Sequence, residues 1–184
     1  MKIFGIDPGS ERTGYGCVET DGSRHRIVTS GAIRTPASAS FPEKLLHIHT
    51  GLAALLGECQ PDCVAIENLF HANNARSALK LGHARGVAML AAVQSGAPVF
   101  EYTPAEVKRA VVGYGRAEKQ QVQQMVKLIL GLAELPTPFD ASDALAIAIC
   151  HCHSLAPAGV SVPTTKASTS RAATSWRHYR PEGT

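Results

Sequence analysis

The chain has 184 residues, of which 45% are hydrophobic and 18% charged, an ordinary composition for one globular domain with a sizeable core. No apolar run approaches the length of a membrane-spanning helix, and the N-terminus has no basic-then-apolar signal pattern. We therefore expect a cytoplasmic protein outside the membrane, with its five cysteines as reduced thiols.

The net charge is +3, and the whole excess lies near the C-terminus. Residues 1–156 carry as many acids as bases, whereas residues 157–184 carry four Lys/Arg and one Glu. The latter segment is rich in Ser, Thr, Pro and Ala and has no periodicity, which predicts a disordered basic tail after a folded domain over 1–156. A nucleic-acid site in that domain then needs local clusters of basic residues or metal ions.

The order of apolar segments predicts a fold of mixed α and β type. Strands are predicted at 2–7, 14–19, 25–34, 63–67 and 98–102, with Asp21-Gly22 as a hairpin turn. After a loop at 35–42, helices are predicted at about 43–58, 74–94, 104–111, 117–131 and 139–154. This order favours an α/β fold with a five-stranded mixed sheet flanked by helices.

The run Cys150-His151-Cys152-His153 has the residue types of a zinc site. It lies in a predicted helix, where positions two apart point away from each other. Packing or surface positions are therefore favoured over a structural zinc site.

Two acids directly end apolar strands. Asp7 precedes a Pro8-Gly9 turn, so it either begins that turn through local hydrogen bonds or holds a metal ion. Glu67 ends the strand "CVAIE". If the two strands are parallel neighbours, both acids meet at the carboxyl edge of the sheet, where α/β proteins bind ligands.

Two further acids lie three apart in "TPFDASDALAIA", so they share a face of the last predicted helix. With Thr137 as N-cap and Pro138 as the first helical residue, Asp140 would be the acid of a capping box. Asp143 lies further into an apolar helix, where an unpaired acid is costly. The four acids suit a two-metal phosphoryl-transfer site with Mg²⁺ or Mn²⁺, and scattered structural acids are the alternative.

Several motifs occur in order between residue 1 and about residue 154. They are "GIDPGS", "TGYG", "AIE", "NARSALKLGHARGVA", "VVGYGRAEKQQVQQMVK" and "DASDALAIA". In sequence and spacing they resemble the RuvC family of Holliday junction resolvases. The resemblance covers the predicted domain and leaves the tail outside.

The resemblance implies an RNase H-like fold and a homodimer that binds four-way DNA junctions during recombination and repair. It also implies Mg²⁺-dependent, paired and symmetric nicks that a ligase can seal, with Mn²⁺ able to substitute, and cooperation with the RuvA–RuvB branch-migration complex. The family's catalytic and metal-binding tetrad falls on Asp7, Glu67, Asp140 and Asp143. Some members have His at the third position.

Candidate DNA-binding residues lie in two segments. In the first, Lys108, Arg109, Arg116 and Lys119 flank "VVGYG", either as ordinary surface charges or as a loop that grips phosphates. The resemblance implies that Lys108 and Lys119 contribute to DNA binding and cleavage.

The second segment follows Glu67. Phe70 is either a core residue or, as the resemblance implies, an aromatic that unstacks DNA bases or stacks on them. Arg76 and Lys80 either reach phosphates or form a surface pair four residues apart.

Three other functions fit parts of the pattern. "DPGSERTG" also matches the phosphate-binding turn of actin-like ATPases and sugar kinases, but those proteins need two such domains and 184 residues are too few. A junction-binding protein without catalysis would be expected to have a damaged tetrad, and all four acids are present. A nuclease of the same fold that cuts RNA or other branched DNA remains an alternative.

Overall fold

The computed structural model describes residues 1–68 and 74–155. Its strands are β1 (Lys2–Asp7), β2 (Arg12–Thr20), β3 (His25–Arg34), β4 (Cys63–Glu67) and β5 (Val99–Tyr102). Its helices are α1 (Phe41–Cys59), α2 (Ala75–Gln94), α3 (Pro104–Val112), α4 (Lys119–Ile129) and α5 (Phe139–Ser154). Phe70 and the predicted tail at 157–184 lie outside the described residues.

The five strands form one mixed sheet in the order β3-β2-β1-β4-β5, as predicted. The first three strands are antiparallel neighbours, and the predicted turn between β2 and β3 is present, with Gly22 at φ 99°. Strand β4 lies parallel to β1 and to β5. The carboxyl ends of β1, β4 and β5 therefore lie at one edge of the sheet.

Helices cover both faces of the sheet, and the alternation of side chains along β1 shows which face each residue meets. Phe4 and Ile6 pack with α1 and α2, whereas Ile3 packs with α3, α4 and α5. Asp7 is four residues from Ile3, so it belongs to the α5 face. Along β4, Cys63 and Ala65 pack on that same face, and Glu67 follows them with the same period.

Two glycines allow α5 to approach the sheet closely. A Cβ atom on Gly5 would lie 2.0 Å from the carbonyl oxygen of Ala144, and one on Gly14 would lie 2.0 Å from that of Asp140. Both distances are far below van der Waals contact. These positions therefore require glycine if α5 is to lie directly on β1 and β2, with its acids beside Asp7.

Two helix starts differ from the prediction by two residues. Helix α1 begins at Phe41 because Ser40 is its N-cap, and the Ser40 backbone N–H donates to the Glu43 carboxylate at 2.7 Å. Helix α4 begins at Lys119, after an N-cap at Glu118 whose backbone N–H donates to Gln121 at 2.9 Å. In both cases the cap lies where the apolar periodicity alone gave no boundary.

All five cysteines are free and buried, as predicted for reduced thiols. Cys150 and Cys152 belong to α5 and pack in the core between this helix and the sheet. Within residues 1–68 and 74–155, no helix combines the length and the apolar character that crossing a membrane requires.

Candidate active site

Asp7 and Glu67 are neighbours at the carboxyl edge of the sheet. The parallel register pairs Ile6 with Ile66, so the next residue of each strand is one of the two acids. The two carboxyl groups are close enough for each to act on the pKa of the other. The parallel arrangement on which the prediction depended is thus present.

Asp140 and Asp143 reach this region from the first turns of α5. The predicted cap of this helix is wrong, because Pro138 rather than Thr137 is the N-cap and no side chain caps the helix. The acid of a capping box is the third helical residue after the N-cap. With Pro138 as N-cap, Asp140 is the second helical residue and cannot take that part. The capping-box explanation for Asp140 therefore fails.

A cavity of about 340 Å³ joins the acids from the two strands and the helix. Asp7, Glu67 and Asp143 line it together with Lys108 of α3 and Lys119 of α4, and Val107 and Val122 contribute to an apolar wall. Asp140 lies at the margin, although its charge still acts on Asp7. Three members of the predicted tetrad thus share one cavity, and the fourth lies next to it.

The electrostatics of the cavity favour a bound cation. Burial raises the pKa of Asp7 well above its usual range, and the charges of Glu67 and Asp143 raise it further. Burial, followed by the charge of Asp143, raises the pKa of Glu67 to about 7. Carboxylates held together against burial and mutual repulsion gain most from a cation that neutralises them.

The donor set fits Mg²⁺ or Mn²⁺, because hard divalent cations prefer carboxylate oxygens. In the part of the chain that the structure describes, no three His, Cys, Asp or Glu side chains are already arranged around one metal position. Mg²⁺ does not need such a cage, since it keeps several waters and takes one or two carboxylates together with substrate phosphates. The acids are therefore compatible with cations that share their coordination with DNA.

Two lysines at the cavity act on the acids, one of them through a direct contact. Lys119 donates from Nζ to Oδ2 of Asp143 at 2.9 Å, and this hydrogen bond raises the pKa of Lys119. Lys108 lies on α3 and lowers the pKa of Glu67 through its charge. Arg109 is exposed on α3, and Arg116 is exposed in the segment between α3 and α4. Of the four basic residues predicted here, the two lysines thus line the cavity.

The other DNA-binding candidates lie on α2 or precede it. Arg76 is exposed in the first turn of α2. Lys80 is also exposed, with its Nζ 5.8 Å from the centre of the Phe41 ring. Lys80 thus makes a cation–π contact with Phe41 of α1 instead of the proposed surface pair with Arg76. Phe70 lies in the stretch 69–73, between the described ranges.

Sequence reasoning missed one residue near the site. Arg85 of α2 donates from Nε to the backbone carbonyl of Glu67 at 3.1 Å and forms an ion pair with Glu101 of β5. The motif "GHARGVA" contains this arginine, but a helix pattern gives no signal that it reaches the end of a strand eighteen residues earlier.

A protein-family model described as crossover junction endodeoxyribonuclease RuvC matches residues 3–151. The chain belongs to the RuvC family. RuvC of Trichlorobacter lovleyi is 52% identical over 184 residues, which cover 98% of this chain and 100% of that protein. RuvC of Citrifermentans bemidjiense is 56% identical over 154 residues, which cover 84% of this chain and 93% of that protein.

Solved RuvC structures share this fold. Thermus thermophilus RuvC in complex with Holliday junction substrate matches with a TM-score of 0.79 and 37% identity, covering 84% of this chain and 94% of the other. The yeast mitochondrial Holliday junction resolvase matches with a TM-score of 0.60 at 15% identity, a likeness of fold alone. The predicted RNase H-like fold is confirmed.

Proposed function

We propose that this RuvC-family endonuclease resolves four-way DNA junctions by paired nicks, with Asp7, Glu67, Asp140 and Asp143 holding the divalent cations that the reaction needs. The observation that carries the proposal is the cavity in which three of these acids meet two lysines. A junction protein without catalysis has no use for buried carboxylates that repel one another. Such a cluster is instead typical of a centre that neutralises its charge with cations and phosphate.

Magnesium is the metal we propose, with manganese as a substitute, because an all-oxygen donor set suits both. When bound, a pair of such cations supplies positive charge to the scissile phosphate, makes a water more acidic and stabilises the leaving oxygen. The chain's own part is to hold Asp7 and Glu67 on a rigid sheet and to bring Asp143 to them on α5. The apolar wall formed by Val107 and Val122 limits water beside the reacting phosphate.

Basic side chains around the cavity would bind the DNA backbone. Lys108 and Lys119, which line the cavity, would contact phosphates next to the cut, and the exposed Arg116 would contact the same strand further out. Arg76 and Lys80 are exposed on α2 and would bind a neighbouring arm. Arginine and lysine contacts of this kind supply affinity that falls as salt rises.

Phe70, outside the described residues, is proposed to act on bases at the crossover. Stacking on an aromatic ring is worth roughly 1–3 kcal/mol per base and does not depend on salt. Phe70→Ala should therefore slow the cutting of a fully paired junction more than that of one loosened by mismatches. A large fall in melting temperature would instead make Phe70 a core residue.

A homodimer would place two active sites on a junction that itself has two-fold symmetry. Helix α2 offers a surface for it, because Leu79, Leu90 and Val93 are 64%, 52% and 63% exposed and Gly82 and Gly86 are exposed on the same helix. Leu90→Glu should dissociate the dimer in sedimentation, whereas Leu128→Glu, at an exposed leucine of α4, should leave it intact. Cooperation with the RuvA–RuvB complex stays a prediction.

The nuclease activity is proposed to lie in residues 1–156, which include the whole match to the family model. Deleting residues 157–184 should leave folding and metal-dependent cutting unchanged and remove at most weak, salt-sensitive DNA affinity. A large loss of thermal stability on deletion would contradict this division.

Incubation with a synthetic four-way junction tests the proposal, beside linear duplex of the same sequence. Mg²⁺ and Mn²⁺ should each support two opposed nicks that a ligase seals, and chelation should stop them. Equal cutting of the duplex would favour the alternative of a nuclease with another substrate.

A further inference from the structure

Arg85 links helix α2 to the ends of two strands. Its Nε donates to the Glu67 carbonyl at 3.1 Å, and its guanidinium also pairs with the carboxylate of Glu101. The arginine side chain is 21% exposed, so both contacts are partly shielded from water. One planar group thus holds β4 and β5 against α2.

The carbonyl that Arg85 holds is the last one of β4. The register between β4 and β5 pairs Glu67 with Tyr102. The backbone N–H of Asn68, the residue after β4, donates to the Tyr102 carbonyl at 2.7 Å. Strand β5 is short and lies at the edge of the sheet. The arginine therefore holds the backbone of Glu67 from outside the sheet, in addition to the pairing with β5.

The carboxylate of Glu67 lines the cavity together with those of Asp7 and Asp143, so a shift at the end of β4 would change the spacing of the three acids. Arg85 contacts the main chain of Glu67 rather than its carboxylate. Its effect on the site is thus one of position.

We propose that Arg85 is a positioning residue for the cleavage reaction, which keeps the Glu67 carboxylate in the cavity with Asp7 and Asp143 by fixing the end of β4. Glu101 orients the guanidinium for this task. The proposal rests on the proposed role of Glu67 as a metal ligand. Arginine is required because its planar fork makes both bonds at once, whereas lysine carries a single point charge.

The test compares Arg85→Gln, Arg85→Lys and Glu101→Gln with the matched control Arg26→Gln. Arg26 also pairs with one glutamate, Glu19, but it lies on β3 and has no contact with the site. For each protein, we would measure the Mg²⁺ concentration for half-maximal junction cutting, the rise in melting temperature that Mn²⁺ causes without DNA, and junction binding in Ca²⁺.

Arg85→Gln should need about 10- to 100-fold more Mg²⁺, the range found when a partner that orients a metal ligand is removed. It should also lose most of the Mn²⁺-induced rise in melting temperature while binding junctions normally. Arg85→Lys should show the same raised Mg²⁺ requirement as Arg85→Gln. Glu101→Gln should raise the Mg²⁺ requirement by a smaller factor, and Arg26→Gln should have the wild-type requirement.

A wild-type metal requirement in Arg85→Gln would overturn the proposal and leave the arginine a role in stability only. If Arg85→Gln does not fold, Glu101→Gln decides, because it removes the pairing charge and keeps the side-chain volume. A wild-type protein that cuts junctions without metal would contradict the proposed function itself, a result distinct from either of these.

Discussion

Lys119 of α4 and Asp143 of α5 form a hydrogen bond of 2.9 Å at the mouth of the cavity. The lysine side chain is 68% exposed, so this contact contributes little to folding, about 0–1 kcal/mol. It holds a cation beside the acids in the place where DNA would approach. We therefore expect the ammonium to move from the carboxylate to a phosphate when a junction binds.

Neutralising this lysine should weaken junction binding through phosphates. Lys119→Gln should lower the slope of log affinity against log salt by about one unit, with little change in melting temperature. Lys127→Gln, on the same helix but away from the cavity, is the control and should keep the wild-type slope. Equal slopes for both variants and wild type would mean that Lys119 does not contact the backbone.

Removing a buried charge should stabilise the metal-free protein. Burial and the charges of Glu67 and Asp143 oppose the ionised form of Asp7, so Asp7→Asn should melt higher than wild type in a chelator. The rise should be about 2–4 °C for each kcal/mol of repulsion relieved.

Adding Mg²⁺ should narrow or reverse the difference in melting temperature between Asp7→Asn and wild type, because binding of the metal stabilises the wild-type protein alone. Glu134→Gln, at an exposed acid outside the cavity, should respond to the metal as wild type does. If Asp7→Asn melts lower than wild type without metal, the carboxylate serves the turn at Pro8-Gly9 instead.

The approach of α5 to β2 should tolerate no side chain at Gly14. Gly14→Ala would place a Cβ 2.0 Å from the Asp140 carbonyl oxygen, so the helix must move and carry its acids with it. Overpacking of this kind costs about 1–3 kcal/mol, and we expect cutting to fall with it.

The matched control is Gly57→Ala on α1, where an added Cβ meets nothing within 4 Å. In a helix interior alanine is favoured over glycine by roughly 0.5–1 kcal/mol, so this variant should be more stable with normal activity. Urea denaturation and cutting rates measure both effects. Normal stability and activity in Gly14→Ala would show that α5 does not lie as close to β2 as described.

His151 should make folding stability depend on pH. It is 2% exposed, its ring centre lies 4.4 Å from that of Phe100, and its Nδ1 is 2.7 Å from the Tyr102 hydroxyl. Nε2 has no hydrogen-bond partner within the described residues, and burial lowers the pKa of His151. The folded protein therefore holds this ring neutral.

The unfolded chain binds a proton at such a histidine as pH falls through about 6.5, whereas the folded chain resists until a lower pH. The contribution of His151 to stability should thus be full above about pH 6.5 and be lost as pH drops towards the lowered pKa. Between pH 7 and 5, the unfolding free energy of wild type should fall relative to that of His151→Gln, whereas His47→Gln, at an exposed histidine, should keep the wild-type profile. Parallel profiles for all three proteins would contradict a buried neutral His151.

The sheet and its acids were predictable because short-range patterns determine them. Short apolar segments bounded by turn residues indicated each strand, and Asp7 and Glu67 meet because β1 and β4 are parallel neighbours, the condition on which the prediction depended. The resemblance to RuvC proteins added Asp140, for which the sequence pattern alone favoured a cap.

Contacts between distant segments were not predictable. The bonds from Lys119 to Asp143 and from Arg85 to the Glu67 carbonyl depend on how helices lie on the sheet. Lys80 pairs with the ring of Phe41 because α1 and α2 are neighbours, and no spacing along α2 indicates this.

The most direct test of the metal-dependent site is the cutting of a four-way junction by Asp7→Asn. Wild type and variant would be compared in Mg²⁺ for cutting and in Ca²⁺ for binding, with Glu134→Gln as control. We predict that Asp7→Asn binds the junction as wild type does and cuts it about 10²-fold more slowly or worse, the loss typical when a group that stabilises charge in the transition state is removed. Cutting by Asp7→Asn at the wild-type rate would contradict the account.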